Sequence, residues 1–251
     1  MKKAFFYSLV ICIISLFSNT VSVSSISNNT IVIDPGHGGM DTGCSYGDIY
    51  ESDMNLDISL ILEDIFISNG YNVILTRKNK DSLCEDRFIK KEDMNKRIEI
   101  INNSNAIMCL SIHLNMFSDS QYRGAQVFYS NANDKNKYLA ENVQNSIRNM
   151  LNNTDRVEML RDNIYLLNKS IIPTIIIECG FLSNENERYL LINKDYQTLL
   201  AYSIYYGATA LWNVKRWALL AHLLRGRKII NKPQHLQYFL NYHALWSCLQ
   251  P

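Results

Sequence analysis

Short apolar runs rich in β-branched residues alternate with longer stretches of helical periodicity along most of this chain. Strands that are separated by helices of ten or more residues favour an α/β fold with a largely parallel sheet. Such runs occupy residues 30–34, 71–77, 106–113, 124–130 and 174–178, and residues 164–167 are a candidate short strand. In parallel sheets ligands bind at the carboxyl ends of the strands, so we expect the functional residues at that edge.

Five helices are predicted between and after these strands. They cover residues 54–68, 90–102, 135–151, 185–192 and 195–212. The first has apolar residues at helical spacing on one face and stops at Asn69-Gly70, a typical C-terminal signal. The chain has 251 residues, of which 47% are of hydrophobic types, and this suffices for one domain with a sizeable core.

The two ends of the chain differ from this domain, which we place at residues 28–213. Residues 1–27 have a basic start, an apolar run and a small polar stretch, as in a secretory signal peptide. The apolar run is short for a membrane span, and an uncleaved anchor is the alternative interpretation. Residues 214–251 form a basic tail of unknown role, either a membrane or partner segment or an extension foreign to the domain.

Charge and cysteine content exclude several classes of protein. A formal net charge of +1 gives no general attraction to nucleic acid, so we expect no such partner. The cysteines after residue 27 have long, irregular spacings without a CxxC pair, so neither a zinc ribbon nor a disulfide scaffold is indicated. We expect membrane contact only through the N-terminal signal or anchor.

Three predicted strands end in a residue that can bind a metal or move a proton. His37 follows the first strand in DPGHGG, His113 ends the third, and Glu178 ends TIIIE. Glu51 stands immediately before the first helix, where a loop can fold its carboxylate over the sheet edge. Two imidazoles and one carboxylate form the ligand set of a catalytic zinc ion. Glu178 then remains as the base that takes a proton from water and passes it to a leaving amine.

Each of these residues also has a structural interpretation, which the sequence leaves open. A strand-end histidine is often only hydrogen-bonded, and Glu51 could be a carboxylate favoured by the helix dipole. Glu178 could instead pair with Arg161. Cys179 could act as a nucleophile with His113 as its base, although alternation along the strand turns this cysteine away from Glu178.

Six stretches occur in the order found in a known enzyme family. They are IVIDPGHGG, Glu51 with NLDISLILEDIF, TR, RIEIINNSNAIMCLSIHLN, GAQVFY and PTIIIECGFLSNENERYLL. Over about residues 30–212 the chain resembles the zinc-dependent N-acetylmuramoyl-L-alanine amidases of the amidase-3 family, and among them the sporulation and germination type. It departs from the family pattern at Ser52, where a basic residue is usual.

The resemblance implies a twisted, mostly parallel sheet of about six strands flanked by helices, as a single zinc hydrolase domain. It implies a zinc ion bound by His37, Glu51 and His113. It makes Glu178 the catalytic carboxylate. The residues that it marks as ligand-orienting or substrate-binding are Asn115, Arg161 and Asn184.

The implied reaction is hydrolysis of the amide between the lactyl group of N-acetylmuramic acid and L-alanine in peptidoglycan. A sporulation-type member would act on spore cortex and prepare the muramic-δ-lactam formation needed for germination. It would be exported to the forespore–mother cell intermembrane space or the cell wall. The implied partners are a glycan strand with its stem peptide and a lipoprotein activator. A zinc peptidase acting within the stem peptide and a non-catalytic wall-binding module are the alternatives.

Overall fold

A six-stranded sheet forms the centre of the protein, whose structure, a computed structural model, describes residues 29–84 and 87–224. The strands in chain order are β1 (Thr30–Pro35), β2 (Ser45–Tyr46), β3 (Ile49–Tyr50), β4 (Asn72–Leu75), β5 (Cys109–Asn115), β6 (Gln126–Tyr129), β7 (Met159–Leu160) and β8 (Thr174–Phe181). β2 and β3 form a separate antiparallel hairpin, and the others lie in the order β4-β1-β5-β8-β6-β7. Every neighbouring pair in the large sheet is parallel except β8 and β6, which confirms the predicted mostly parallel sheet.

Two layers of helices cover the sheet, as predicted. The helices are α1 (Glu51–Ser68), α2 (Lys90–Asn103), α3 (Asn136–Leu151), α4 (Tyr165–Lys169), α5 (Glu185–Leu191) and α6 (Lys194–Leu224). α1, α3 and α6 pack on one face, where Ile58, Val143 and Ile204 join alternate residues of the strands. α2 and α4 cover the other face around Ile101 and Leu167. Because neighbouring strand residues point to opposite faces, both sides of each central strand are buried.

Most predicted bounds agree with the structure. α1 ends at Ser68, and Gly70 follows with a φ of 82°, which is the predicted stop. α6 continues to Leu224, past the predicted helix end at 212 and the predicted domain boundary at 213. Residues 1–27 and 225–251, on which the signal prediction and most of the tail prediction fall, lie outside the described residues. No helix in the described part of the chain is both long and apolar enough to cross a membrane.

The short strand predicted at residues 164–167 is wrong, because Tyr165–Lys169 form helix α4. The amides of Asn168 and Ser170 bond to the carbonyls of Ile164 and Leu166, each at 3.1 Å. A short apolar run fits the period of either a strand or a helix, and here the packing beneath α2 decides for the helix. The strand in this region is β7, which the sequence analysis missed together with the hairpin β2–β3.

A buried network fixes the loop that follows β1. Arg97 of α2 is 2% exposed and donates to Asp34 at 2.8 Å and to Asp93 at 2.7 Å. It also donates to the carbonyl oxygens of Pro35 at 2.7 Å and His37 at 2.5 Å. Burial alone would raise the pKa of the Asp34 carboxyl, but Arg97 and two hydroxyl groups more than offset this and lower it. The network therefore holds an ionised pair directly beneath the loop.

A second buried arginine binds the same loop from another side. Arg77 follows β4 and donates to the carbonyl oxygens of Pro35 at 3.0 Å and Gly36 at 2.9 Å. It also donates to the carbonyl of Ser52, in the first turn of α1, at 2.8 Å. Hydrogen bonds from an ionised donor are stronger than neutral ones, so these contacts tie the loop firmly to the start of the helix.

Asp34→Ala should lower the free energy of unfolding by about 3 kcal/mol, because Arg97 then stays buried with one of its two carboxylates missing. Urea denaturation followed by circular dichroism measures the change. Lys137→Ala, which removes an exposed pair with Glu141 on α3, is the control and should leave the free energy of unfolding nearly unchanged. Equal effects of the two substitutions would contradict the role of the buried network.

Candidate metal and active site

Three neighbouring strands bring the predicted residues to one edge of the sheet. β1, β5 and β8 lie side by side and run parallel, so their carboxyl ends meet. His37 lies just beyond β1, His113 lies in β5, and Glu178 is the direct partner of His113 in β8. Glu51 is the first residue of α1, and the hairpin β2–β3 turns the chain back between His37 and this helix. The structure therefore brings all four residues together.

His37, Glu51 and His113 form a compact group of atoms that can bind a metal. One ligand atom from each residue lies within 4.8 Å of the other two. Oε1 of Glu51 is 3.2 Å from Nε2 of His37 and 3.0 Å from Nδ1 of His113. The two imidazole rings meet edge to face with their centroids 5.0 Å apart. Two imidazoles and one carboxylate fit a catalytic zinc ion, which leaves its fourth position open.

The charges within this group favour a bound cation. Burial alone would raise the pKa of the Glu51 carboxyl, but the hydrogen bonds and charges of His113 and His37 hold it well below its usual range. Burial alone would lower the pKa of His37, but Asp41 and Glu51 raise it to about 9. An ionised carboxylate at 3% exposure needs positive charge beside it. An imidazolium or a metal ion meets that need.

The backbone close to these side chains leaves no space for a Cβ atom at two glycine positions. A Cβ on Gly36 would lie 2.2 Å from Cε1 of His113, and one on Gly43 would lie 2.5 Å from Oε2 of Glu51. His37 has a φ of 61°, in the left-handed region that is unfavourable for residues other than glycine. The buried arginines hold this loop in place, so the close approach of the rings is built into the backbone.

Asp41 supports His37 from the side that faces away from Glu51. Its Oδ2 lies 2.9 Å from Nδ1 of His37, at ion-pair distance but without the alignment of a good hydrogen bond. The amide of Gly43 donates to its Oδ1 at 3.2 Å. A carboxylate at the outer nitrogen of a metal-binding histidine selects its tautomer and orients the ring. The sequence analysis missed Asp41, although its place in the same loop was the available signal.

Glu178 stands beside the three-residue group. Its Oε2 is buried and has no hydrogen-bond partner among the described residues. Burial raises the pKa of this carboxyl to about 7, while His113 opposes the rise and Glu51 adds to it. A buried oxygen without a partner is unfavourable unless a ligand meets it. A carboxyl group whose pKa lies near neutrality is suited to accept and return a proton.

The geometry does not support the structural alternatives for Glu178 or a nucleophilic cysteine. Within the described residues Arg161 makes no ion pair with Glu178, and its guanidinium lies 5.1 Å from the ring centroid of Phe128. Cys179 lies in the core of the opposite face, where its Sγ donates to the carbonyl of Ile177 at 3.6 Å. Burial raises the pKa of the Cys179 thiol, which disfavours the thiolate that a nucleophile needs.

The three further candidates lie in different places. Asn115 ends β5 at the site edge, and its Oδ1 accepts a bond from the next amide at 2.9 Å. Asn184 caps α5 and donates to a carbonyl in the loop after β5, so its side chain holds two segments together. The amide of Arg161 bonds to the carbonyl of Tyr129, the last residue of β6. Because β6 and β8 are antiparallel, this position is remote from the cluster, and the structure does not bring Arg161 to it.

An α/β sheet that presents two imidazoles and two carboxylates at one edge is equipped for metal-assisted hydrolysis. Residues 31–210 match the family described as N-acetylmuramoyl-L-alanine amidase. The chain belongs to this family, which confirms the resemblance predicted from its motifs and the class of enzyme that it implies.

The similar proteins include a germination-specific amidase and other amidases whose structures are solved. The chain is 36% identical over 187 residues to the germination-specific N-acetylmuramoyl-L-alanine amidase of Bacillus subtilis (strain 168), over 72% of this chain and 79% of that protein. The CwlD amidase from Clostridioides difficile, solved in complex with the GerS lipoprotein, gives a TM-score of 0.70 at 40% identity, over 74% of this chain and 100% of that one. The catalytic domain of CwlV, an N-acetylmuramoyl-L-alanine amidase from Bacillus (Paenibacillus) polymyxa var. colistinus, gives 0.66 at 28% identity, over 74% of this chain and 99% of that one.

Asp41→Ala should weaken zinc binding by about 10–100-fold, because His37 loses the carboxylate that orients its ring. Competition with a chromophoric chelator measures the affinity. Asp48→Ala makes the same charge change at an exposed position between β2 and β3 and should bind zinc as the unsubstituted chain does. If Asp41→Ala also binds zinc with unchanged affinity, Asp41 does not support His37.

Proposed function

We propose that this chain is a zinc-dependent amidase that hydrolyses the amide between the lactyl group of N-acetylmuramic acid and L-alanine in peptidoglycan. His37, Glu51 and His113 would hold one zinc ion, and Glu178 would transfer the proton. The observation that carries the proposal is the grouping of three ligand atoms within 4.8 Å of one another, beside a buried carboxyl oxygen without a partner in the described part of the chain. Membership of the amidase family supports the identity of the bond.

The protein's own part in the reaction is to position water and to move one proton. A zinc ion, when bound, supplies a Lewis acid that makes water more acidic and polarises a carbonyl oxygen. Oε2 of Glu178 accepts the proton of the attacking water, since no donor among the described residues occupies it. The same oxygen returns the proton to the nitrogen of L-alanine as the C–N bond breaks. The water oxygen remains in the lactyl carboxylate, and the peptide leaves with a free amino terminus.

Further side chains at the edge would help to place the substrate. We propose this role for Asn115, because its Nδ2 has no protein partner within the described residues and it follows His113 at the end of β5. We propose that Asn184 acts indirectly, through the loop and the helix that its side chain joins. We assign Arg161 no role in the reaction.

The biological setting is part of the proposal. A germination-specific amidase and an amidase solved with a lipoprotein are among the similar proteins, so we propose spore-cortex peptidoglycan as substrate and a lipoprotein activator as partner. Cleavage there would precede muramic-δ-lactam formation. A signal peptide at residues 1–27 would export the catalytic domain, residues 28–213, to the forespore–mother cell intermembrane space or the wall. We assign no role to the basic tail, residues 214–251.

Digestion of purified cortex peptidoglycan with the zinc-loaded protein should produce free L-alanine amino termini and leave the glycan strands intact. Labelling of the new amino termini followed by mass spectrometry identifies them. New termini elsewhere in the stem peptide would instead establish a peptidase. If no new ends form at any zinc concentration, with or without a lipoprotein partner, the chain is a wall-binding module rather than an enzyme.

Glu178→Gln should retain one zinc ion per chain and lose at least about 100-fold in kcat, because it removes the proton acceptor without removing a ligand. Metal analysis and initial rates on the same preparation measure the two effects. Cys179→Ala, the neighbouring substitution on the opposite face of β8, should retain both zinc and most of the activity.

Two results would contradict this division of roles. Loss of zinc from Glu178→Gln would make Glu178 a ligand rather than the proton-transfer group. Loss of activity in Cys179→Ala, with activity retained in Glu178→Gln, would replace the zinc mechanism with a cysteine nucleophile.

A further inference from the structure

A polar groove opens at the sheet edge where β8 ends and β6 begins. It has a volume of about 640 Å³ and runs between the segment after α3 and the first turns of α5. Arg123 and Arg156 contribute positive charge to its lining, and Asp155 and Glu187 contribute negative charge. The proposed proton transfer and zinc binding use none of these four charged side chains.

The guanidinium of Arg156 is held in a fixed orientation. Its Nε donates to the carbonyl of Arg123 at 2.9 Å, and its Nη1 donates to Oε1 of Gln126 at 3.1 Å. Its Cζ lies 5.0 Å from the ring centroid of Phe181 and 5.9 Å from that of Tyr122. Within the described residues its Nη2 has no hydrogen-bond partner. A guanidinium oriented by such contacts and left with a free N–H edge is suited to bind a carboxylate.

This guanidinium contacts two residues that are connected to the proposed catalytic carboxylate through the sheet. Gln126, which it contacts, is the direct cross-strand partner of Glu178. Directly opposite residues in antiparallel strands have Cα atoms about 4.5–5.5 Å apart and side chains on the same face. Phe181, which it covers, ends the strand that carries Glu178. Arg156 is therefore separated from Glu178 by one intervening side chain, that of Gln126 on the neighbouring strand.

The acidic residues of the groove leave the arginine edge available. Both oxygens of Glu187 accept backbone amides, from Gly124 at 2.9 Å and Phe181 at 2.8 Å, so this carboxylate is occupied. Asp155 is exposed, and the described residues include no ion pair between it and Arg156. An incoming anion therefore meets two negative charges in this lining, Asp155 at the rim and the hydrogen-bonded Glu187.

We propose that Arg156, assisted by the charge of Arg123, binds a carboxylate of the stem peptide within the first two residues beyond the cleaved amide. An extended peptide advances about 3.3–3.6 Å per residue, so two residues can span the roughly 4.8 Å between neighbouring strands. The inference rests on the proposed function, because it assumes that the stem peptide, which begins with the L-alanine of the cleaved amide, binds in the groove. It makes Arg156 the residue that distinguishes an acidic stem peptide from an amidated one.

The test is a comparison of two ligands that differ in one carboxylate. They are N-acetylmuramoyl-L-alanyl-D-glutamate and N-acetylmuramoyl-L-alanyl-D-isoglutamine, in which that carboxylate is a carboxamide. Calorimetric titration into zinc-loaded Glu178→Gln measures binding without turnover. We expect the acid to bind about tenfold more tightly than the amide, as a charge-assisted pair requires. Adding Arg156→Gln should bring the affinity ratio close to one, and adding Asp155→Asn should increase it.

Controls separate recognition from a general structural effect. Lys169→Gln removes an exposed cation that also lies over an aromatic ring, that of Tyr165, and should leave the ratio unchanged. The affinity ratio compares two ligands on the same protein preparation. It therefore stays the same even if part of the Arg156→Gln protein is unfolded. Equal affinities in the parent protein, or a ratio that survives Arg156→Gln, would overturn the proposal. If Arg156→Gln weakens the binding of both ligands by the same factor, the proposal is also overturned, since Arg156 then has only a structural role.

The two proposals fail in different ways. If the unsubstituted zinc-loaded protein hydrolyses both ligands but Glu178→Gln binds them equally, the carboxylate site is wrong and the proposed amidase stands. If it hydrolyses neither ligand while the binding ratio depends on Arg156, the carboxylate site stands and the proposed reaction is wrong.

Discussion

The site depends on one carboxylate oxygen, Oε1 of Glu51, which two imidazole nitrogens and the amide of Leu114 approach within 3.2 Å. Burying this charge is unfavourable by several kcal/mol unless positive charge and hydrogen bonds meet it. The protein supplies them from three separate segments: the loop after β1, strand β5 and the N-terminus of α1, whose dipole favours a negative charge. Because Glu51 both begins a helix and joins the histidines, it links the site to the layer of helices on one face of the sheet.

The elements with a regular period could be predicted from the sequence. The Ile-rich run before Glu178 and the run before His113 are short, apolar and separated by helical segments, which favours buried strands of a parallel sheet. The parallel rule then places their last residues at one edge. The end of α1 at Ser68 follows from Asn69-Gly70, whose chemistry is local. These parts were predictable because each depends on neighbouring residues and on one general rule of topology.

The parts that were missed depend on contacts between distant segments. The helix at Tyr165–Lys169 is set by packing against α2, and its short apolar run alone fits either period. Arg97 reaches the carbonyl of His37 across 60 positions of the chain, and a bond from a side chain to a distant backbone has no periodic signal. The left-handed backbone of His37 belongs to the same category, since sequence rules assign that conformation to its glycine neighbours.

The central claim is that three residues from separate elements hold one zinc ion while Glu178 stays free to move a proton. The most direct measurement is a crystal structure of the zinc-loaded protein with anomalous data collected at the zinc edge. It should show one ion with nitrogens of His37 and His113 and an oxygen of Glu51 at about 2.0–2.2 Å, and with Glu178 beyond coordinating distance. An ion bound through Glu178, or one bound at another place on the chain, would contradict the claim.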